Sequence, residues 1–226
     1  MPVFKKINKD FFKVWNPSMA YVVGFFAADG YITLNNRGAY FWSIQITDGQ
    51  LLEKIKKVIG SEHKISVRPG FENESALFRL QIGSKEMCTD LRELGFAQRK
   101  TKNLTVPNVS PKYFADFVRG YFDGDGNVWS GYMHKERKKQ SKSILTAFTS
   151  CSENFLLTLH QRLGDYGITG GGVYCKNNAF CLKYGMKDSL VLYGLMYRKI
   201  TDNLYLERKK RVFEDFLNIC SRSSIG

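Results

Sequence analysis

Residues 22–30 read Val22-Val23-Gly24-Phe25-Phe26-Ala27-Ala28-Asp29-Gly30, and residues 118–126 read Val118-Arg119-Gly120-Tyr121-Phe122-Asp123-Gly124-Asp125-Gly126. Each copy is an apolar segment that ends in Asp-Gly. A carboxylate at the C-terminal end of a buried helix faces the negative end of the helix dipole and gives up hydration. Folding stability alone does not explain why the chain would keep such a residue twice.

Working outward from the first copy, Asn16-Pro17-Ser18 supplies a capping residue and a proline suited to a first helical turn. The run from Met19 to Ala28 that follows is apolar on every face and predicts a helix buried all round. Gly24 and Ala28 in one copy, and Gly120 and Gly124 in the other, stand four residues apart, so each pair clears one helix face of bulk. Small residues cost helix propensity, and close packing of two backbones is the compensating gain. If the two copies pack along these faces, Asp29 and Asp125 arrive side by side at the foot of the pair. Adjacent carboxylates repel, and a divalent cation relieves the repulsion.

The repetition extends past the motif, as a duplicated domain requires. Asp29 and Asp125 lie 96 residues apart; Leu51, Leu52, Ile55 and Ile59-Gly60 recur as Phe155, Leu156, Leu159 and Leu163-Gly164 at an offset of 104. Leu80-Gln81-Ile82-Gly83-Ser84-Lys85 aligns with Leu182-Lys183-Tyr184-Gly185-Met186-Lys187 at an offset of 102. The eight extra residues of the second half fall in the loop that carries His134 to Lys139. Two tandem halves are expected, at residues 1–106 and 107–226.

On these residues the chain resembles the LAGLIDADG homing endonucleases with two motifs. Gly24, Ala28, Asp29 and Gly30 match the nine-letter pattern in the first copy, with Ala27 in place of its first Asp. Gly120, Asp123, Asp125 and Gly126 match it in the second. Arg99-Lys100-Thr101 before Pro107, and Leu206-Glu207-Arg208-Lys209 near the end, continue the likeness. The resemblance implies an α+β monomer of two pseudo-symmetric αββαββα halves, whose antiparallel sheets form a saddle over double-stranded DNA. It also implies that the last Asp of each motif, Asp29 and Asp125, binds a divalent metal, Mg2+ or another such as Mn2+. Whether the backbone at Ala28 adds a ligand is left open. Because Ala27 lacks a carboxylate, Asp123 is not expected to be a ligand. The implied activity is site-specific double-strand cleavage of a long, roughly palindromic target, leaving short 3′ overhangs, by an intron-encoded or free-standing enzyme. Intron RNA, in a maturase role, and non-cleaving DNA regulation on the same scaffold are the alternatives.

Composition agrees with a polyanionic partner. Lys and Arg number 34 against 21 Asp and Glu, a net charge of +13 in 226 residues. Neutralising phosphates releases condensed counterions, which makes such binding tight and steeply salt-dependent. Basic clusters occur at Lys5-Lys6 with Lys9 and Lys13, at Arg99, Lys100 and Lys102, from His134 to Lys142, at Arg198-Lys199 and from Arg208 to Arg211. No stretch is long and apolar enough for a membrane span, and the N-terminus lacks a signal-peptide core. Five cysteines without C-x-x-C spacing indicate neither a disulfide framework nor a zinc site. An intracellular location with access to DNA, a microbial cytoplasm or an organelle, is expected.

The strand segments alternate as half-buried strands do. Arg79 and Gln81 share a face, as do Ser43, Gln45 and Thr47, and Lys64, Ser66 and Arg68; Lys183 takes the place of Gln81 in the second half. Arg, Gln and Lys reach base edges in the major groove, so these residues form the expected DNA-contacting surface. Lys135, Arg137, Lys138 and Lys139 join it from the loop. Lys100 and Lys209, with Lys199 as rival to the latter, are the basic catalytic candidates that the resemblance suggests. Gln45, or Asp48, could orient a water network, and Thr149 sits at the repeat position of Gln45. Asp123-Gly124-Asp125-Gly126-Asn127 opens like a calcium-binding loop, but Val128 occupies the required glycine position and His134 the terminal glutamate position. His63, His134 and His160 have no pairing spacing and are expected to be packing or surface residues. Trp129 stands out among the aromatic residues, just past the second motif.

Overall fold

The structure, a computed structural model, describes residues 5–72, 74–97, 103–133 and 141–223. The first half runs α1 (Pro17–Asp29), β1 (Gly30–Leu34), β2 (Tyr40–Ile46), α2 (Gly49–Val58), β3 (Ile65–Arg68), β4 (Leu77–Gly83) and α3 (Lys85–Glu93). The second runs α4 (Pro111–Asp125), β5 (Gly126–Met133), β6 (Ser141–Ser150), α5 (Glu153–Gly164), β7 (Gly172–Lys176), β8 (Ala179–Tyr184) and α6 (Met186–Tyr197), followed by an additional helix, α7 (Glu207–Ser223). The order αββαββα therefore occurs twice, and the fold class is α+β, as expected.

Each half contains one four-stranded antiparallel sheet, ordered β1-β2-β4-β3 and β5-β6-β8-β7. The two registers coincide. Gly30 pairs with Ile44 and Ile44 with Leu80; Gly126 pairs with Phe148 and Phe148 with Leu182. These partners stand at the offsets of 96, 104 and 102 found in the sequence, so the duplication holds strand by strand. Asp48 and Ser152, also 104 apart, cap α2 and α5, each accepting from the backbone N–H three residues on.

The centre of the molecule is the packing of α1 on α4. Asn16 caps α1 by accepting from Met19 N at 2.9 Å, Pro17 opens the helix, and every residue from Met19 to Ala27 is buried. A methyl group on Gly24 would overlap the Phe117 carbonyl oxygen and stand 2.9 Å from Tyr121 N. On the opposite side, a methyl on Gly120 would overlap the Tyr21 carbonyl and stand 2.9 Å from Phe25 N. The glycines thus bring backbone against backbone. Around this pair the core is strongly aromatic: Phe26 lies edge-on to Trp42 and Phe96, while Phe122 lies edge-on to Phe148.

Unlike α1, α4 buries a charged side chain. Arg119 donates to Asp116 Oδ1 at 2.8 Å, to Asp202 Oδ1 at 3.1 Å and to the carbonyls of Leu204 and Met196. A guanidinium satisfied in this way tolerates burial, and it ties α4 to the segment that leads into α7.

Candidate functional site

Both central helices end in the same manner. Gly30 (φ −90°, ψ 154°) and Gly126 (φ −86°, ψ 158°) leave the helix directly into a strand, their N–H groups donating to Phe26 O and Phe122 O. The torsions suit any residue, but a Cβ at either position would run into the ring of that same phenylalanine. Glycine therefore permits an abrupt turn that leaves Asp29 and Asp125 as the last helical residues, both half-buried. Asp29 lies against the neighbouring helix: a methyl on Gly124 would touch Ala28 Cβ and stand 3.1 Å from Asp29 Oδ2. The two carboxylates also act on the same groups. The Tyr121 phenol, which donates to Thr149 O at 2.7 Å, is pushed up by burial, and the charges of Asp125 and Asp29 push it further. Both also act on the Lys209 ammonium.

Lys209, from the first turn of α7, is buried beneath this point. Its Nζ donates to the carbonyls of Phe122 (2.7 Å), Asp123 (2.8 Å), Gly124 (3.2 Å) and Gly126 (2.5 Å). These are the orphan carbonyls of the α4 terminus, and a cation there also meets the negative end of the helix dipole. Desolvation lowers its pKa to about 8, opposed by the charges of Asp123, Asp29 and Asp125. Its three protons are thus shared among four carbonyls, and the side chain holds the end of α4 together. Lys199, the rival, is exposed just beyond the end of α6.

Asp123 is buried and faces inward. Its carboxylate accepts from Tyr21 OH at 2.7 Å, Leu206 N at 2.8 Å and Tyr197 OH at 3.3 Å. Burial raises its pKa to about 6 in spite of these donors. The residue therefore links α1, α6 and the start of α7, a structural role consistent with alanine at the equivalent position 27.

With Leu206 and Lys209 fixed, the intervening Arg208 remains exposed at the site. It lines a cavity of about 290 Å³ together with Asp29, Gln45, Thr47, Asp48 and Gly124. A second cavity of about 340 Å³ has Arg208, Gly124, Gly126 and Asn127 in its walls. Arg208 is the cation common to both cavities. Sequence reading placed it only within a basic cluster, because the choice between residues 208 and 209 depends on the rotation of α7 about its axis. Gln45 accepts from Tyr31 OH at 3.4 Å, and Asp48 uses Oδ1 to cap α2, accepting from Leu51 N at 2.8 Å. Lys100 lies outside the described residues, as do Lys135, Arg137, Lys138 and Lys139.

Solved structures with this architecture are known. The LAGLIDADG meganuclease I-AabMI bound to uncleaved DNA matches 93% of this chain and 92% of its own, at a TM-score of 0.61 and 15% identity. The meganuclease I-SmaMI bound to uncleavable DNA matches 90% of both chains, at a TM-score of 0.60 and 15% identity. This is the LAGLIDADG fold. The homing endonuclease I-WcaI bound to its DNA recognition sequence shares it, with 90% of both chains covered, a TM-score of 0.61 and 16% identity. In sequence, 26% identity over 121 residues links the chain to an uncharacterised protein of Methanocaldococcus jannaschii, a match covering 51% of this chain and 41% of that relative. No protein-family model matches.

In this chain the first sheet turns Gln45, Arg79 and Ser66 to one face in a single cross-strand row, with Tyr31, Ser43 and Gln81 in the next. Thr47, Lys64, Arg68, Arg79 and Ser66 are exposed and Gln81 is half-buried. Ser43 departs from expectation: it has the anticipated parity but is fully buried, standing between Tyr31 and Gln81, and its Oγ has no partner among the described residues. Arg68 lies 3.9 Å from Glu74, and Ser66 Oγ donates to Arg79 O. In the second sheet Lys183 is exposed at the register position of Gln81. His160 Nδ1 lies 2.8 Å from Tyr184 OH and His63 Nδ1 3.0 Å from Ser61 Oγ, both packing arrangements.

Among the described residues no cluster of three or more His, Cys, Asp or Glu could enclose a metal. Two carboxylates at the ends of paired helices do suit a hard divalent cation that completes its shell with water and phosphate oxygens, as Mg2+ commonly does. The donor set fits a metal recruited together with a phosphodiester. Among the described residues no helix is long and apolar enough to cross a membrane.

Proposed function

We propose that this chain is a site-specific, metal-dependent DNA endonuclease that acts as a monomer on double-stranded DNA, with Asp29 and Asp125 as its central acidic pair. The observation that carries this reading is the symmetric termination of α1 and α4, which presents one carboxylate from each half at a shared point between two sheets. The net charge of +13 supports a polyanionic partner. DNA bound to the structural neighbours I-AabMI, I-SmaMI and I-WcaI supports the same class of substrate.

In this reading Asp29 and Asp125 hold Mg2+ or Mn2+, which when bound activates water and offsets charge on the phosphate under attack. Arg208, exposed in the cavity that Asp29 lines, donates to the non-bridging phosphate oxygens as negative charge builds on them. Lys209 holds the α4 terminus so that Asp125 keeps its place, and Gln45, steadied by Tyr31, orients water on the first-half side. Lys100 is proposed as a further cation. Gln45, Thr47, Lys64, Ser66, Arg68, Arg79 and Gln81 of the first half, and Lys183, Lys135, Arg137, Lys138 and Lys139 of the second, contact the DNA. Because the halves differ on these faces, the target is only roughly palindromic and spans about two helical turns. Short 3′ overhangs and an intron-encoded origin belong to the same proposal.

The test is cleavage of a randomised or genomic duplex library with magnesium, followed by sequencing of the ends. Recurrent ends within one long sequence, lost in Asp29→Asn and in Asp125→Asn while duplex affinity persists, are expected. Unchanged cleavage by either variant would falsify the assigned acids. Selective binding without cutting would instead indicate a regulator, and a preference for structured RNA a maturase.

A further inference from the structure

The two sheets present the same register with different chemistry. On the face that carries Gln45, Arg79 and Gln81 in the first half, the repeat positions of Phe41, Ser43, Arg79 and Ser66 hold Leu145, Ala147, Cys181 and Tyr174 in the second. Ser43 and Ala147 differ by one hydroxyl; Arg79 and Ser66 give way to Cys181 and Tyr174. With Thr149 and Lys183 at the positions of Gln45 and Gln81, the second sheet carries fewer side chains that pair with purine edges through two hydrogen bonds. Its face instead contains a cavity of about 510 Å³, walled by Trp129 and Tyr174, floored by Leu145 and Ala147, and flanked by Lys183 and Asn127.

The aromatic walls are held in place although they face solvent, Trp129 being 43% and Tyr174 55% exposed. Trp129 lies over Gly131, where a Cβ would come within 2.9 Å of indole Cη2. Similarly, a Cβ on Gly172 would stand 3.5 Å from Tyr174 OH and 3.7 Å from its ring carbons. Each ring rests on a glycine two residues away in its own strand. Lys183 Nζ stands 5.7 Å from the Tyr174 ring centroid, which sets a positive charge on the rim. Two fixed rings, an aliphatic floor and a cationic rim suit the methyl-bearing edge of a pyrimidine beside its phosphate. Alanine and similar apolar groups recognise this edge in the major groove.

We propose that this cavity is a recognition site for the C5-methyl group of a pyrimidine, so that the second half reads its half-site by methyl contact while the first half uses hydrogen bonds. The proposal rests on the DNA-binding reading above. Thymine and 5-methylcytosine carry the same group, and the experiment separates them. Duplexes that bind the full chain are selected from a random library without divalent metal, and the affinity of the selected site is measured by titration. Each thymine is then replaced by uracil, and each cytosine by 5-methylcytosine.

For thymine as ligand, uracil at one or two positions confined to one half-site weakens binding about four-fold per position, the weight of one buried methyl. For 5-methylcytosine, methylation at such a position tightens binding by a similar factor. In Trp129→Ala, a partly exposed position, the ratio of affinities for the methylated and unmethylated duplexes falls to about one, whatever the overall affinity. Tight, selective binding that is indifferent to every methyl overturns the proposal and leaves the endonuclease reading in place. So does a methyl effect that persists in Trp129→Ala. Absence of selective duplex binding overturns both.

Discussion

Replacing Gly120 by alanine tests the packing on which the site depends. The added methyl would overlap the carbonyl oxygen of Tyr21 and stand 2.9 Å from both Phe25 N and Tyr21 C. These are backbone atoms of a buried helix, so no side-chain rotation relieves the overlap and α1 must move away from α4. Overpacking of this kind costs about 1–3 kcal/mol and sometimes more. Because the intruding group meets main chain, the upper end applies, and the gain of about 1 kcal/mol in helix propensity offsets only part of it. A net loss of about 2 kcal/mol follows. Gly194 in α6 provides the control, since a methyl there meets only the Arg198 side chain, at 3.4 Å and beyond. Gly194→Ala should gain up to about 1 kcal/mol. Urea unfolding followed by circular dichroism measures both. Cleavage under conditions where each protein is fully folded should also fall in Gly120→Ala, because Asp29 and Asp125 are carried by the helices that separate. A Gly120→Ala protein as stable and as active as the parent would refute the claim that backbone contact sets the spacing of the acids.

In the proposed function the first turn of α7 divides structural from catalytic charge. Lys209→Met strands four carbonyls and should cost about 3 kcal/mol in urea unfolding, whereas Arg208→Ala should leave stability within about 0.5 kcal/mol and reduce the cleavage rate at saturating DNA. Equal destabilisation by both would contradict the phase assigned to the helix. Asp123 makes stability depend on pH in a defined direction. Its folded pKa of about 6 exceeds the ordinary 3.8, so the native state holds the proton longer than the unfolded chain does. Stability relative to Asp123→Asn should therefore be greatest below about pH 4 and fall by about 3 kcal/mol as pH rises to about 6, then level off. Unfolding midpoints of the two proteins that move in parallel across this range would exclude the assignment.

Much of the fold was legible in the sequence because a duplicated fold repeats its local signals. The offsets of 96, 104 and 102 reappear as the strand registers Gly30 to Ile44 to Leu80 and Gly126 to Phe148 to Leu182. An apolar run without a polar face predicted a helix buried all round, and α1 is one. The small residues at 24, 28, 120 and 124 predicted which faces meet. Asp29 and Asp125 stand out because a helix-terminal acid after an apolar run conflicts with local stability, and both do end their helices.

Tertiary structure decided what depends on residues distant in the chain. Lys209 and Arg208 are neighbours in sequence, yet only the docking of α7, held by Asp123 and by carbonyls more than 80 residues away, buries one and exposes the other. Alternation placed Ser43 on the correct face, but cross-strand neighbours closed over it, which no single strand pattern encodes. Trp129, Leu145, Ala147 and Tyr174 come from three separate strands, and they form one cavity only once the sheet is assembled. Local periodicity fixes the element and its inward face; which side chains share a site is set by long-range packing.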